Sequence, residues 1–274
     1  MLLYLVRHGQ TESNQQGMIQ GRLDFPLSKL GQEQAQKLSD WLKLVPIDRI
    51  YSSPLKRAQD TASAICAQQP KANLHIDDRL TATGAGEAEG EPWEEVKDKL
   101  DEMGREPVAE VRERLHSWLS SLITAHTPQT SGAVTPITPV NPASYESKPV
   151  FERALSSTKG LPRPGMIRKP SKEFDQSGKG VVLAVTHQEC IMAILDLLIS
   201  PIITPDRHDE QSANTPINLH IPEHFEFVQF EHERKVGNTA VAIVRIWWEE
   251  SVDGEGLEVR GRLEAWGSEE HLQD

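Results

Sequence analysis

Two apolar runs of five residues, 2–6 and 181–185, constrain the fold of this chain more than any other feature. Continuous apolar runs of that length read as strands buried on both faces, the kind found in parallel sheets covered by helices. Each run breaks straight into polar chemistry. Arg7-His8-Gly9-Gln10 follows the first and Thr186-His187 follows the second. In open α/β sheets, ligands bind in the crevice beyond the carboxyl ends of the strands. A histidine placed there beside a fixed positive charge can attack phosphorus.

The segments between these runs alternate in period. Residues 11–27 are polar and glycine-bearing and read as a long loop. Ser28 is a plausible N-cap for a helix over 30–44, where Ala35, Leu38, Trp41 and Leu42 share one face. Residues 47–51 read as a short strand, and Ser53-Pro54 opens a helix to 67 with proline in its first turn. A weak strand follows at 74–76, then a helix beginning at Pro92-Trp93. A clear amphipathic helix covers 108–123 through Val111, Leu115, Trp118, Leu119 and Leu122. After the run at 181–185 comes a helix over 189–199. Residues 240–248 and 257–266 read as a closing hairpin. Strands alternating with helices predict an α/β fold, a mostly parallel sheet flanked by helices on both faces. The expected organisation is one domain over 1–274. It is interrupted by a mobile Pro/Ser/Thr/Lys-rich insertion at 125–180, which holds eight of the 18 prolines, and by a polar loop at 200–235.

Charge narrows the partners. The net charge of −12 argues against nucleic acid or an anionic membrane as the main partner, because phosphate backbones need Lys/Arg stripes. A local basic pocket for one small phosphate remains compatible with it. No apolar run approaches the ~18 residues of a membrane span. Cys66 and Cys190 both fall in apolar helical patterns, as buried thiols do, and two cysteines make no disulfide framework. With a strand at the very start and no room for a signal peptide, the expected location is the cytoplasm.

A third element adds charge to the two histidines. In Tyr51-Ser52-Ser53-Pro54-Leu55-Lys56-Arg57 the arginine falls in the first turn of a helix that follows a strand. Arg7 and Arg57 can clamp a phosphoryl group with paired N–H bonds. The start of the helix after His187 turns its backbone N–H groups the same way.

Together these pieces closely resemble the histidine phosphatase superfamily, the phosphoglycerate mutase-like proteins. The resemblance is carried by 5–14 (LVRHGQTESN), 20–28 (QGRLDFPLS), Gly31 with Gln34-Ala35, 51–62 (YSSPLKRAQDTA), Val185-Thr186-His187 and the closing Glu270-His271-Leu272. It covers about 1–124 and 181–272. It implies that His8 is the nucleophile and becomes a phosphohistidine, with one ring nitrogen held by a backbone carbonyl. Arg7, Arg57 and His187 would complete the phosphate pocket and neutralise the equatorial oxygens. Asn14 matches a phosphate contact, Gln20 and Gly21 match substrate-contacting positions, and the Gln188 N–H should face the phosphate. No metal or other cofactor is implied, because the fixed cations do that work. The expected partner is a small phosphorylated substrate, and hydrolysis is preferred over a mutase reaction because nothing resembles the long mutase insert.

Three departures stand out. The family pattern after the third strand reads Leu-Arg-Glu, then Gly and Glu-Gly. Leu80, Gly86, Glu89 and Gly90 keep that spacing, but Ala82 stands where the usual proton donor belongs. Losing a general acid typically costs about 10²–10⁴ in rate. Several readings stay open. Glu87 or Glu89 substitutes; the protein is a weak or inactive phosphate-binding or scaffold relative; Ala82 is an engineered knock-out; or a slow phosphatase works on good leaving groups. The second departure is Thr186-His187-Gln188 in place of Ser-His-Gly, which narrows the rim. The third is the insertion 125–180, whose lysines and arginines can cap the pocket or bind a protein partner. The glycine-rich stretch 84–90 has the wrong spacing for a dinucleotide loop. His208, His220, His224 and His232 lie in polar loop without a metal-site signature, and no Gly-x-Ser-x-Gly elbow or Walker loop is present.

Overall fold

The computed structural model describes residues 1–128, 180–199, 218–222, 236–251 and 256–273. The elements described here belong to one compact unit built from Met1–Thr127 and Ile167–Asp274. The two apolar runs pair with each other. Strand β1 (Leu2–Arg7) lies parallel to β4 (Val181–Thr186) in register from Leu2↔Val181 to Arg7↔Thr186. With β2 (Arg49–Ser52), β3 (Asn73–Ile76), β5 (Asn218–His220), β6 (Val241–Glu250) and β7 (Leu257–Ser268) they form a sheet of order β3-β2-β4-β1-β6-β7-β5. The pairs β3–β2, β2–β4, β4–β1 and β7–β5 are parallel, while β1–β6 and β6–β7 are antiparallel. The sheet is therefore mostly parallel, with a terminal hairpin folded onto one flank.

Why the central strands stay apolar until their last residues, Arg7 and Thr186, follows from their two coverings. Leu3, Leu5, Val182 and Ala184 pack with α5 (Val108–His126) and α6 (Gln188–Ile199). The intervening Tyr4, Val6, Leu183 and Val185 pack on the other side with α2 (Lys29–Leu42) and α3 (Lys56–Ala67). Side chains alternate across a strand, so a strand between two helical layers must be apolar at every position. Each fully buried Leu or Val there is worth about 1.5–3 kcal/mol.

Local boundaries follow side-chain chemistry. Ser28 caps α2 by accepting from the Gly31 N–H. The segment expected to be all loop at 11–27 contains a short helix, α1 (Glu12–Gln15), because Thr11 and Asn14 cap each other's backbone. One turn is too short to register as a period. Pro54 is not in the first turn of α3. The helix starts at Lys56 after an N-cap at Leu55, and the Leu55 N–H donates to Ser53 Oγ. The short α4 (Trp93–Val96) follows Pro92 as expected. The helix expected at 108–123 continues to His126, two residues into the expected insertion, and β5 lies inside the stretch 200–235 expected to be loop. Residues 129–179, 200–217 and 223–235, with the basic residues of the insertion and with His208, His224 and His232, lie outside the described residues.

Candidate active site

Parallel pairing brings three strand ends to one edge. Arg7 ends β1 opposite Thr186 of β4, and Ser52 ends β2 opposite Val185. The His8 N–H donates to the Thr186 carbonyl at 3.0 Å and the Ser53 N–H to the Val185 carbonyl at 3.0 Å, so the ladder runs one residue past each strand. His8, His187 and Ser53 thus stand side by side. The ring centroids of His8 and His187 are 5.1 Å apart, with the planes tilted by 57°.

Each imidazole has one nitrogen committed. His8 Nδ1 lies 2.7 Å from the Gly9 carbonyl oxygen, which can only accept. The proton is therefore on Nδ1, and Nε2 carries the lone pair. His187 Nε2 lies 2.8 Å from Ser53 Oγ. A Ser53 hydroxyl that donates there leaves the His187 proton on Nδ1. Burial, followed by the Arg57 and Arg7 charges, pushes the His8 imidazole well below its ordinary pKa. Burial, then the His8, Arg57 and Arg7 charges, does the same to His187. Both rings are neutral at neutral pH, as a nitrogen nucleophile requires.

The two guanidiniums are fastened by their tips. Arg57 is 1% exposed, and its Nη1 and Nη2 donate to the carbonyls of Leu23 (2.7 Å) and Gly21 (2.8 Å). Arg7 Nη1 donates to Gln188 Oε1 (3.0 Å) and to the Val236 carbonyl (2.7 Å). Burial lowers Arg57 to about 10 and lowers Arg7 in the same direction, which leaves both cationic at neutral pH. Arg7 Nε, Arg57 Nε and His187 Nδ1 are buried without a hydrogen-bond partner among the described residues. Orphaned buried donors are costly, about 1–3 kcal/mol each. Three of them around one neutral imidazole suit a multivalent oxyanion such as a phosphoryl group.

The other expected residues fall in different roles. Asn14 Oδ1 accepts from the Thr11 N–H and from Asn238 Nδ2, which also donates to the His8 carbonyl. Gln20 is buried and accepts from the Thr11 hydroxyl. Gly21 has φ of +48°, and a β-carbon on it would stand 2.1 Å from Glu89 Oε1. The Glu89 carboxylate is itself committed to main chain, accepting from the Arg22 N–H (2.8 Å) and the Ala85 N–H (3.0 Å). Glu87 is exposed. Ala82 is 4% exposed, beside a stretch locked by Thr186 Oγ1 to the Leu80 carbonyl and Cys190 Sγ to the Thr81 carbonyl.

Several supports of this site escaped the sequence reading. Thr61 Oγ1 accepts from the Gly9 N–H and donates to the Arg57 carbonyl four residues back, joining both sides of the pocket. Thr239 has φ of +59°, and its N–H faces the carbonyls of Arg7 and His8. Gly237-Asn238-Thr239 carries a turn signature immediately before β6, the one clue available in the sequence. Among the described residues, no group of three or more His, Cys, Asp or Glu is placed to hold a metal ion.

The family model of the histidine phosphatase superfamily (branch 1) matches residues 3–138. Phosphoserine phosphatase 1 of Hydrogenobacter thermophilus is 34% identical over 154 residues, which are 50% of this chain and 72% of that protein. The chain belongs to the histidine phosphatase superfamily. The uncharacterized phosphatase PhoE of Bacillus subtilis is 41% identical over 91 residues, 33% of this chain and 47% of that protein. The chain spans about half the length of several curated relatives that it matches. A solved structure of a mycobacterial glucosyl-3-phosphoglycerate phosphatase superposes with a TM-score of 0.60 at 21% identity, over 97% of this chain and 99% of that one. At that identity the likeness is one of fold. Among the described residues no helix is long and apolar enough to cross a membrane.

Proposed function

We propose that this protein is a phosphomonoesterase that cleaves a small phosphorylated substrate through a phosphohistidine on His8. One observation carries the reading: a neutral His8 imidazole, with its proton fixed on Nδ1 by the Gly9 carbonyl, set among the orphaned donors of Arg7, Arg57 and His187. In the first step His8 Nε2 forms a bond to phosphorus as the ester P–O bond breaks. Arg7, Arg57 and His187 balance the charge on the equatorial oxygens. Water then attacks the phosphohistidine, the P–N bond breaks, and inorganic phosphate leaves. The phosphatase names of its relatives support hydrolysis over a mutase reaction.

The buried Ala82 favours a second reading, a catalytically impaired phosphate-binding relative, since alanine donates no proton. One experiment separates them. The protein is incubated with p-nitrophenyl phosphate and a panel of phosphorylated metabolites, beside His8→Ala. The enzyme reading expects phosphate release and an acid-labile phosphoenzyme, both lost in His8→Ala. Release no greater than that of His8→Ala, with phosphate still bound, sinks it in favour of the binding module.

A further inference from the structure

We propose that Glu189 is the proton donor to the leaving oxygen in this protein, doing from the start of α6 what Ala82 cannot do from the loop after β3. The assignment rests on the phosphohistidine reading above.

Glu189 is the second residue of α6 and two residues beyond His187. Its neighbour Gln188 bonds Arg7, so this turn of the helix lies against the phosphoryl pocket. The Glu189 side chain is exposed, and among the described residues no hydrogen bond or ion pair holds its carboxylate. Among charged groups, it exerts the strongest influence on Arg7 and also on Arg57, the two cations that flank His8. The other nearby carboxylates fail on one count or another. Glu89 Oε1 accepts from the Arg22 and Ala85 N–H groups, which fix its carboxyl group against main chain. Asp24 accepts from the Lys56 N–H. Glu269 lies against Gly237 and acts on Arg7 but is not among the charges acting on Arg57.

A substrate arriving as its monoanion passes its proton to the Glu189 carboxylate. As His8 Nε2 bonds to phosphorus and the ester P–O bond breaks, the Glu189 proton passes to the departing oxygen, which leaves as an alcohol. In the second step the Glu189 carboxylate takes a proton from water as its oxygen bonds to phosphorus and the P–N bond breaks. The acid and neutral His8 are both regenerated.

The test is the sensitivity of rate to the leaving group. Turnover of p-nitrophenyl phosphate, phenyl phosphate and β-glycerophosphate is compared between the unsubstituted protein and Glu189→Gln, with His8→Ala as the blank. The exposed position keeps the fold intact, checked by melting temperature. The proposal expects Glu189→Gln to lose about 10²–10⁴-fold on the poor leaving groups and at least tenfold less than that on p-nitrophenyl phosphate. Equal losses on all three esters, or no loss, overturn the assignment while leaving the phosphohistidine reading intact. A wild-type protein no faster than its His8→Ala blank on every ester overturns both.

Discussion

Gly31, in the first turn of α2, lies so close to Gln10 that a β-carbon on Gly31 would stand 2.0 Å from the Gln10 carbonyl oxygen. Gln10 is in turn gripped by that helix end. Its N–H donates to Gln34 Oε1, its carbonyl accepts from the Ser28 N–H, and its amide oxygen accepts from the Ser28 hydroxyl. Gly9 is equally tight, with a would-be β-carbon 2.6 Å from the Gly31 carbonyl oxygen. The backbone that sets His8 is therefore wedged against α2 by two glycines.

Gly31→Ala should destabilise the protein by about 1–3 kcal/mol, because backbone rather than a mobile side chain must yield. It should also lower kcat/KM by about 10²-fold, the cost of moving a nucleophile by roughly an ångström. Denaturant unfolding and steady-state kinetics with p-nitrophenyl phosphate read the two effects. A variant with native stability and full activity contradicts the wedge.

Arg57→Lys keeps a positive charge but cannot span the Gly21 and Leu23 carbonyls as the forked guanidinium does. One part-buried carbonyl loses its partner, for a loss of about 1 kcal/mol. Inhibition by inorganic phosphate should weaken as well, since the unpartnered Nε–H of Arg57 is gone. Unchanged phosphate inhibition would show that charge alone matters at this position.

Stability should rise with pH between 5 and 6.5. His8 and His187 are held well below their ordinary range by burial and by the neighbouring cations, and burial brings His271 down to about 4. In that window the unfolded chain binds protons at these histidines that the folded protein does not, so lowering the pH favours unfolding. Each depressed imidazole contributes up to about 1.4 kcal/mol per pH unit. The contribution levels off above 6.5, where both states are neutral. Urea unfolding at pH 5.0, 5.75, 6.5 and 7.5 measures it, and His271→Gln should flatten the slope by one histidine's share. A wild-type curve with no slope below 6.5 is incompatible with three buried neutral imidazoles.

Ala82→Glu should raise turnover of β-glycerophosphate at least tenfold when introduced into Glu189→Gln, by restoring a donor at the position where the superfamily pattern has one. The Thr186 and Cys190 bonds that lock Leu80 and Thr81 fix the main chain beside it. No gain in the double variant would mean that residue 82 does not face the leaving group.

Much of this architecture could be read from residue pattern alone. Strands with two buried faces must be apolar throughout, so β1 and β4 stood out. A serine cap and a 3.6-residue period marked α2, and the polar residues just past each strand marked the site edge. Those signals are local, and a linear chain carries them directly. What pattern could not convey depended on partners far away in sequence. The pairing of β1 with β4, which makes neighbours of His8 and His187, is a choice among possible strand orders. The commitment of Glu89 to the Arg22 and Ala85 N–H groups, and the hold of Asn238 and Thr239 on His8, arise only once loops meet. Hydrogen bonds and screened charges act over a few ångströms, and which groups come that close is decided by the packing of the whole sheet and its helices.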